Sequence, residues 1–295
     1  MTVDRTEGTD RPCRRWIWLL FAAALLVRLV YVLQGYPVPP QDTPDYDEIA
    51  LNLLGGKGFV ASGHWFGTEL RAWRSPFYPF FLAAVYGLAG YGHLVVKGVQ
   101  AVVGAVTVVL VFLLARRVRP GAAAVAGILA VVYGPLVTAT NEVMTETWFA
   151  FWLVLAAWLL TDGAASKVAG RGRLLAGGAA IGLAALTRPV GLLLWPAFAA
   201  VTGWRWRREG VRRALWVGLI TAAVLLPWSV RNYQVFGTWV PLATHGGFIL
   251  ARSNADRPAW REEHGWGVEE SFFRQIPSEV ERDRYWRRQG LDWIQ

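Results

Sequence analysis

The sequence predicts an all-α fold, a polytopic transmembrane helical bundle of about seven spans with its N-terminus inside and juxtamembrane helices in its first outer loop. Three observations lead there. Hydrophobic residues make up 54% of the chain and charged residues only 17%. Apolar runs of membrane-crossing length recur along it. Short arginine clusters punctuate those runs and alternate with more acidic connections.

The first apolar run, 16–34, follows Arg11, Arg14 and Arg15. It is longer than the apolar region of a secretory signal, and no small-x-small cleavage site precedes Gly35 and Tyr36, so it reads as a retained first span. Arg28 lies roughly 9 Å from its outer end at the helical rise, within snorkelling reach of the interface. A polar segment over 35–75 follows. The apolar stretch 76–90 runs to about fifteen residues, short for a crossing and suited to a juxtamembrane helix. Spans are then expected at 93–115, 121–137, 148–160, 174–187, 191–204 and 214–228. The pairs near 174–187 and 191–204 are short and broken by Arg188-Pro189; Gly177, Gly178, Gly182 and Ala185 give the first of them a small-residue packing face. Trp16, Trp18, Trp148, Trp204, Trp206 and Trp228 fall at span ends, as an aromatic belt requires.

Charge placement sets the orientation. If 76–90 does not cross, the basic connections 1–15, 116–120, 162–173 and 205–213 all fall in the cytoplasm. The connections near Asp42, Glu146, Arg188 and Arg231 then fall outside. Letting 76–90 cross would move the Arg116 and Arg205 clusters to the outer side. The expected location is therefore the cytoplasmic (inner or plasma) membrane, multi-pass. The net charge of +9 belongs to these span-flanking clusters, which meet anionic lipid heads; no nucleic-acid-binding module accompanies it. Cys13 is the only cysteine, so the chain holds no internal disulfide. Beyond Asn254 the chain turns charged and tryptophan-rich and ends within an amphipathic pattern (Tyr285, Trp286, Leu291, Trp293), on the outer surface or as an incomplete piece.

Candidate chemistry gathers in the outer connections. Asp42, Asp45, Asp47 and Glu48 crowd one short segment, and mutual repulsion can lift a carboxylate toward general-base range. The alternative is a capped surface helix in which Asp42 or Asp45 satisfies amides. Arg71, Trp73, Arg74, Pro76 and Tyr78 form a basic and aromatic boundary segment, suited to clamping a phosphate or to plain interfacial anchoring. Glu142 and Glu146 are four apart, on one face of a helix, and Glu146 also suits a helix N-terminus.

The order of these motifs carries a resemblance. Asp42-x-x-x-Tyr46 is followed by Ala50-x-Asn52-Leu53-Leu54-x-Gly56-x-Gly58-Phe59, then Arg74-x-Pro76-x-Tyr78-Pro79. Thr145-Glu146, Leu186-Thr187-Arg188-Pro189 and Pro227-Trp228-Ser229-Val230-Arg231-Asn232-Tyr233 come after. From about Leu19 to Phe248 this resembles the bacterial GT-C membrane glycosyltransferases related to dolichyl-phosphate-mannose–protein mannosyltransferases, glycosyltransferase family 39.

The resemblance implies a GT-C-like transmembrane catalytic core over 1–230, with outer loop 35–93, and an outer C-terminal segment over 231–295. It implies inverting transfer of a sugar from a polyprenyl-phosphate donor to a hydroxyl on a glycan, lipid or protein, at the outer face of the cytoplasmic membrane. Asp42 matches the outer-loop aspartate used as base or acceptor-orienting group; Thr43 follows it where relatives often carry a second acid, which leaves two alternatives, Asp42 acting alone or with Asp45. Arg74, with Arg71, Arg188 and Lys57, is assigned to the donor phosphate. Glu146 matches a second acidic position. Tyr46, Tyr78, Arg231 and Asn232 are assigned to acceptor contact or to structure. The cofactor stays undetermined: oxygen ligands at Asp42 and Glu146 suit Mg or Mn. Two rival classes remain. Arg28 and Arg188 near apolar segments fit a lipid or solute transporter, and the tryptophan-rich tail fits a non-catalytic scaffold.

Overall fold

The computed structural model describes residues 7–36, 43–62, 68–161, 170–254, 276 and 278–294. In chain order the helices are α1 (Glu7–Leu33), α2 (Thr43–Leu54), α3 (Phe77–Ala89), α4 (His93–Val118), α5 (Ala123–Val132), α6 (Gly134–Asn141), α7 (Glu146–Leu160), α8 (Arg171–Thr187), α9 (Leu194–Phe236), α10 (Gly246–Asn254) and α11 (Glu279–Asp292). Among the described residues the only strand-like pairing is the isolated antiparallel bridge between Ala61 and Leu70. The all-α expectation holds, and the long apolar helices are those of a multi-pass membrane protein.

Two compact units emerge. The first combines α1 with the chain from Tyr91 to Val224. Its core joins Leu20 and Ala24 of α1 to Ala105, Val108 and Phe112 of α4 and Ala123, Ala130 and Val131 of α5. Small residues let these helices approach: a Cβ on Gly127 would lie 2.6 Å from Leu20 Cδ1. Gly178 and Gly182 of α8 likewise pack beneath Ile220 and Val224 of α9, where Thr221 donates to the Gly178 carbonyl at 3.0 Å.

Arg28 corrects one expectation. It does not snorkel to the interface but is fully buried, donating to the Ala24 carbonyl one turn back at 3.1 Å. Gly104 of α4 makes the room: a Cβ there would stand 2.6 Å from Arg28 Nε. Its Nε and second terminal nitrogen have no hydrogen-bond partner among the described residues.

A further departure concerns where an apolar run breaks. The run 121–137 divides into α5 and α6, bent by 41°. Pro135 lacks an N–H and disfavours helical geometry at the residue before it, and Tyr133, just upstream, is extended at ψ 107°. The break expected between the runs 191–204 and 214–228 falls inside α9, which is folded back on itself. Arg207 has φ 48° and ψ −119°, outside helical space. Beyond it Thr202 Oγ1 lies 3.3 Å from the Gly210 carbonyl and Trp195 Nε1 donates to the Ala214 carbonyl at 2.8 Å. On a straight helix residues 195 and 214 would be about 28 Å apart. The arms 194–206 and 208–224 therefore run antiparallel, with the arginine cluster at their turn.

The second unit holds α2, α3, the end of α9 from Leu225, α10 and α11. Here α2 packs on α3 through Tyr46 and Tyr78, whose rings meet edge-on at 5.1 Å. The Tyr86 hydroxyl donates to Asp47 at 2.5 Å. At thirteen residues, α3 reaches only about 20 Å, short of a hydrocarbon core. The end of α9 fastens the following loop: Trp228 Nε1 donates to the Leu242 carbonyl at 2.6 Å, and Asn232 Nδ2 to the Val240 carbonyl at 3.0 Å.

Candidate active site

Asp42 lies outside the described residues. Asp45, in the first turn of α2, is buried and paired with Arg74: Nε and one terminal nitrogen of the guanidinium reach the same carboxylate oxygen at 3.0 and 2.6 Å. The Arg74 guanidinium also sits 5.3 Å from the Tyr46 ring centroid. This ion pair is largely removed from solvent, with side chains 14% and 9% exposed. Of the described acids in this segment, Asp45 and Asp47 face different partners. Residues two apart on a helix point some 200° from each other, so Asp45 turns to Arg74 and Asp47 to Tyr86.

The segment that carries Arg74 is held by its backbone. Glu279 accepts from the Arg71 and Ala72 amides at 2.7 and 3.1 Å. Arg231 donates to the Arg71 carbonyl at 2.6 Å and to the Phe59 carbonyl at 3.1 Å, stacked over Trp228 and Phe59. Thr244 N donates to the Ala72 carbonyl at 2.9 Å. The Arg71 side chain faces solvent and pairs with Glu69 at 2.8 Å. Lys57 is exposed in the turn after α2, where its amide donates to the Asn52 carbonyl at 2.9 Å. Ser75, next to Arg74, has a buried hydroxyl with no partner among the described residues.

In the first unit Glu146 opens α7 and pairs with Arg188, the residue at the break after α8. Thr145 Oγ1 lies 3.4 Å from the same guanidinium nitrogen, and the Phe149 ring centroid is 5.9 Å away. Glu142 does not share a helix face with Glu146. The α6 helix ends at Asn141, Glu142 is extended at φ −93° and ψ 134°, and α7 begins only at Glu146. Gln100 closes that helix end, donating to the Thr140 and Glu142 carbonyls at 3.1 and 2.7 Å. Burial, with the Glu146 charge nearby, pushes the Glu142 carboxyl above its ordinary value. Among the described residues no three His, Cys, Asp or Glu side chains form a metal-ligand group.

Residues 73–230 match the profile of the dolichyl-phosphate-mannose–protein mannosyltransferases, over more than half of the chain. The chain belongs to that family. As a member of the GT-C membrane glycosyltransferases, it carries Arg74, Glu146 and Arg188 inside the matched segment, while Asp45 precedes it. Its fold is similar to that of ArnT from Cupriavidus metallidurans, solved with undecaprenyl phosphate bound, with a TM-score of 0.55 and 23% identity. The likeness covers 85% of this chain and 44% of that one, so the chain spans under half the length of that relative. No curated protein sequence matches it.

Two contributors to the Arg74 segment of this mannosyltransferase-family chain were not legible beforehand. Glu279 and Thr244 hold the Arg74 segment from 207 and 172 residues away in sequence (279 − 72 and 244 − 72). The only local signal at Glu279 was its place just after Ser278, which caps α11 by accepting from the Glu281 amide. Arg231 and Asn232 were assigned to acceptor contact or structure, and both make backbone fastenings.

Proposed function

We propose that this chain moves a sugar from a polyprenyl-phosphate donor to an acceptor hydroxyl at the outer face of the cytoplasmic membrane, with inversion at the anomeric carbon. The observation that carries the reading is the Asp45–Arg74 pair: a guanidinium held in one orientation by a buried carboxylate and an aromatic ring, in a family whose members are lipid-phosphate-sugar transferases by name. The undecaprenyl phosphate bound to the ArnT relative supports the same donor class.

In this reading Arg74 meets the donor phosphate, with Arg71, Arg188 and Lys57 adding positive charge around it. The acceptor oxygen attacks the anomeric carbon opposite the phosphate, the carbon–oxygen bond to phosphate breaks, and polyprenyl phosphate leaves carrying the electron pair. Asp42 takes the acceptor proton, and Glu146, steadied by Arg188, orients the acceptor. Asp45 serves Arg74 rather than acting as base, because its carboxylate is already engaged. Tyr46 supports the Arg74 guanidinium with its ring, and Tyr78 packs edge-on against Tyr46. The acceptor can be a glycan, lipid or protein hydroxyl.

The membrane arrangement proposed is seven crossings with the N-terminus inside: α1, α4, the bent α5–α6 pair, α7, α8 and the two arms of α9. Support comes from the reversal at Arg207, which separates two arms where a single long helix would give one crossing. All short basic connections then share the cytoplasmic side.

The test is sugar transfer in membranes containing the wild-type chain and its Asp42→Asn and Arg74→Ala variants, with a polyprenyl-phosphate sugar supplied. Asp42→Asn is expected to abolish transfer at normal expression, and Arg74→Ala to weaken donor use. Full activity in Asp42→Asn removes that residue from the mechanism. Substrate movement across sealed vesicles without any acceptor would replace the reading with transport.

A further inference from the structure

The α10 and α11 helices pack closely at two glycines: a Cβ on Gly290 would stand 2.8 Å from the Ala251 amide, and one on Gly247 would run into the Asp283 carbonyl. Asp283 also accepts from the Gly247 amide at 2.6 Å, capping the start of α10. This pair reaches the outer loop in two ways. The Trp73 ring meets Phe248 tilted at 5.7 Å and Phe248 meets Trp286 edge-on at 5.9 Å, a buried aromatic chain that begins one residue before Arg74. Glu279, the first residue of α11 and 6% exposed, spans the amides of Arg71 and Ala72 with one carboxylate oxygen each, and Thr244 donates to it as well.

The chemistry of that last contact is selective. Two adjacent backbone N–H groups and a hydroxyl need a group with two acceptor oxygens and no donor, which is an ionised carboxylate. Glutamine would turn an N–H₂ toward one of those amides. With Arg231 on the Arg71 carbonyl and Thr244 N on the Ala72 carbonyl, all four backbone polar groups of Arg71 and Ala72 are bound from outside the segment. Little of the strand's path is then left to local preference, and displacements near 1 Å are enough to disturb a charged clamp.

We infer that Glu279 is a positioning residue for donor binding: from α11 it fixes the Arg71–Trp73 backbone so that Arg74 presents its guanidinium to the phosphate of a polyprenyl-phosphate lipid. This rests on the reading of Arg74 given above and adds to it that the C-terminal helix is part of the donor site's support. Glu279 itself touches no reacting atom.

The experiment uses the full chain in lipid nanodiscs, as wild type, Arg74→Ala, Glu279→Gln, Glu279→Ala and Thr244→Val. Apparent KM for a polyprenyl-phosphate sugar, kcat, undecaprenyl phosphate binding and thermal unfolding are measured for each. Expected for Glu279→Ala is a rise in donor KM and a loss of lipid-phosphate affinity of about tenfold, with kcat within about twofold of wild type. Glu279→Gln should fall between Ala and wild type, since one acceptor oxygen remains, and Thr244→Val should be milder still. If Glu279→Ala does not fold, Glu279→Gln carries the same reading. Unchanged donor KM and lipid affinity in folded Glu279 variants, while Arg74→Ala weakens both, overturns the inference and leaves the role of Arg74 standing. A fall in kcat and unfolding temperature with KM unmoved also overturns it, marking Glu279 as a general fold support. If Arg74→Ala changes neither donor KM nor lipid affinity, the reading of the site falls and the inference with it.

Discussion

Arg231 and Glu279 grip one residue from opposite sides. The Arg231 guanidinium donates to the Arg71 carbonyl at 2.6 Å, and the Glu279 carboxylate accepts from the Arg71 amide at 2.7 Å. The two grips come from the ends of separate helices, α9 and α11, and meet on a loop that has no regular structure of its own. That loop leads directly into Arg74, whose ion pair with Asp45 is largely removed from solvent.

Asp45→Asn leaves the buried Arg74 charge without its counter-ion. A loss of about 3–5 kcal/mol is expected, seen as a lower unfolding temperature in detergent. The double variant Asp45→Asn/Arg74→Gln should regain at least half of that, because the stranded charge is gone. A double variant no better than the single one would mean that the pair is not what Asp45 supports.

Glu142 gives a pH-dependent signature. Burial and the Glu146 charge raise its carboxyl, so the folded state holds that proton more tightly than the unfolded state. The stability this supplies is complete below the ordinary carboxylate value and is lost as pH rises through the raised folded value. Near neutral pH the ionised group is a burden. Glu142→Gln should therefore unfold at a higher temperature than wild type at about pH 7 and show no advantage near pH 4. An equal shift at both pH values would remove ionisation as the cause.

Arg28 and Gly104 should be strongly coupled. Gly104→Ala puts a methyl 2.6 Å from Arg28 Nε, with an expected cost of about 1–3 kcal/mol from overpacking. Arg28→Ala opens space at the same seam and should absorb the added methyl, so the two changes combine non-additively in thermal unfolding. Simple addition of the two effects would show that they are not in contact. Arg28→Met, which fills the space without a charge to desolvate, is expected to be neutral or stabilising.

Membrane sidedness can be read by cysteine labelling in a Cys13→Ser background, since Cys13 is the only cysteine. Lys57→Cys should react with an impermeant maleimide from outside intact cells, and Arg207→Cys only after permeabilisation. Labelling of both from the same side would defeat the seven-crossing arrangement.

The helices were legible because each apolar run is self-sufficient: in lipid a segment must satisfy its own backbone, so length and composition nearly define it. Breaks inside runs were less so. Pro135 was visible in the sequence, yet nothing there said whether it would bend a span by 41° or merely end one. The basic connection 205–213 marked a break between two runs, but only the Trp195 and Thr202 contacts fix how tightly the chain turns at Arg207. In the candidate site the same division holds. Asp45 and Arg74 could each be singled out by type and placement, but not as partners, because a pairing across 29 residues is set by how α2 packs on α3.

Composition and charge order by themselves determined an all-helical membrane chain, the order of its motifs carried the GT-C resemblance, and both drew attention to acids and arginines in the connections between its apolar runs. Hydrophobicity and helical hydrogen bonding act locally, so a linear reading captures them. Tertiary structure alone decided which charges neutralise each other, that Arg28 is enclosed, and that Glu279 holds the backbone ahead of Arg74. Those outcomes depend on where distant segments meet, and a buried charge takes its role from the partner it finds there.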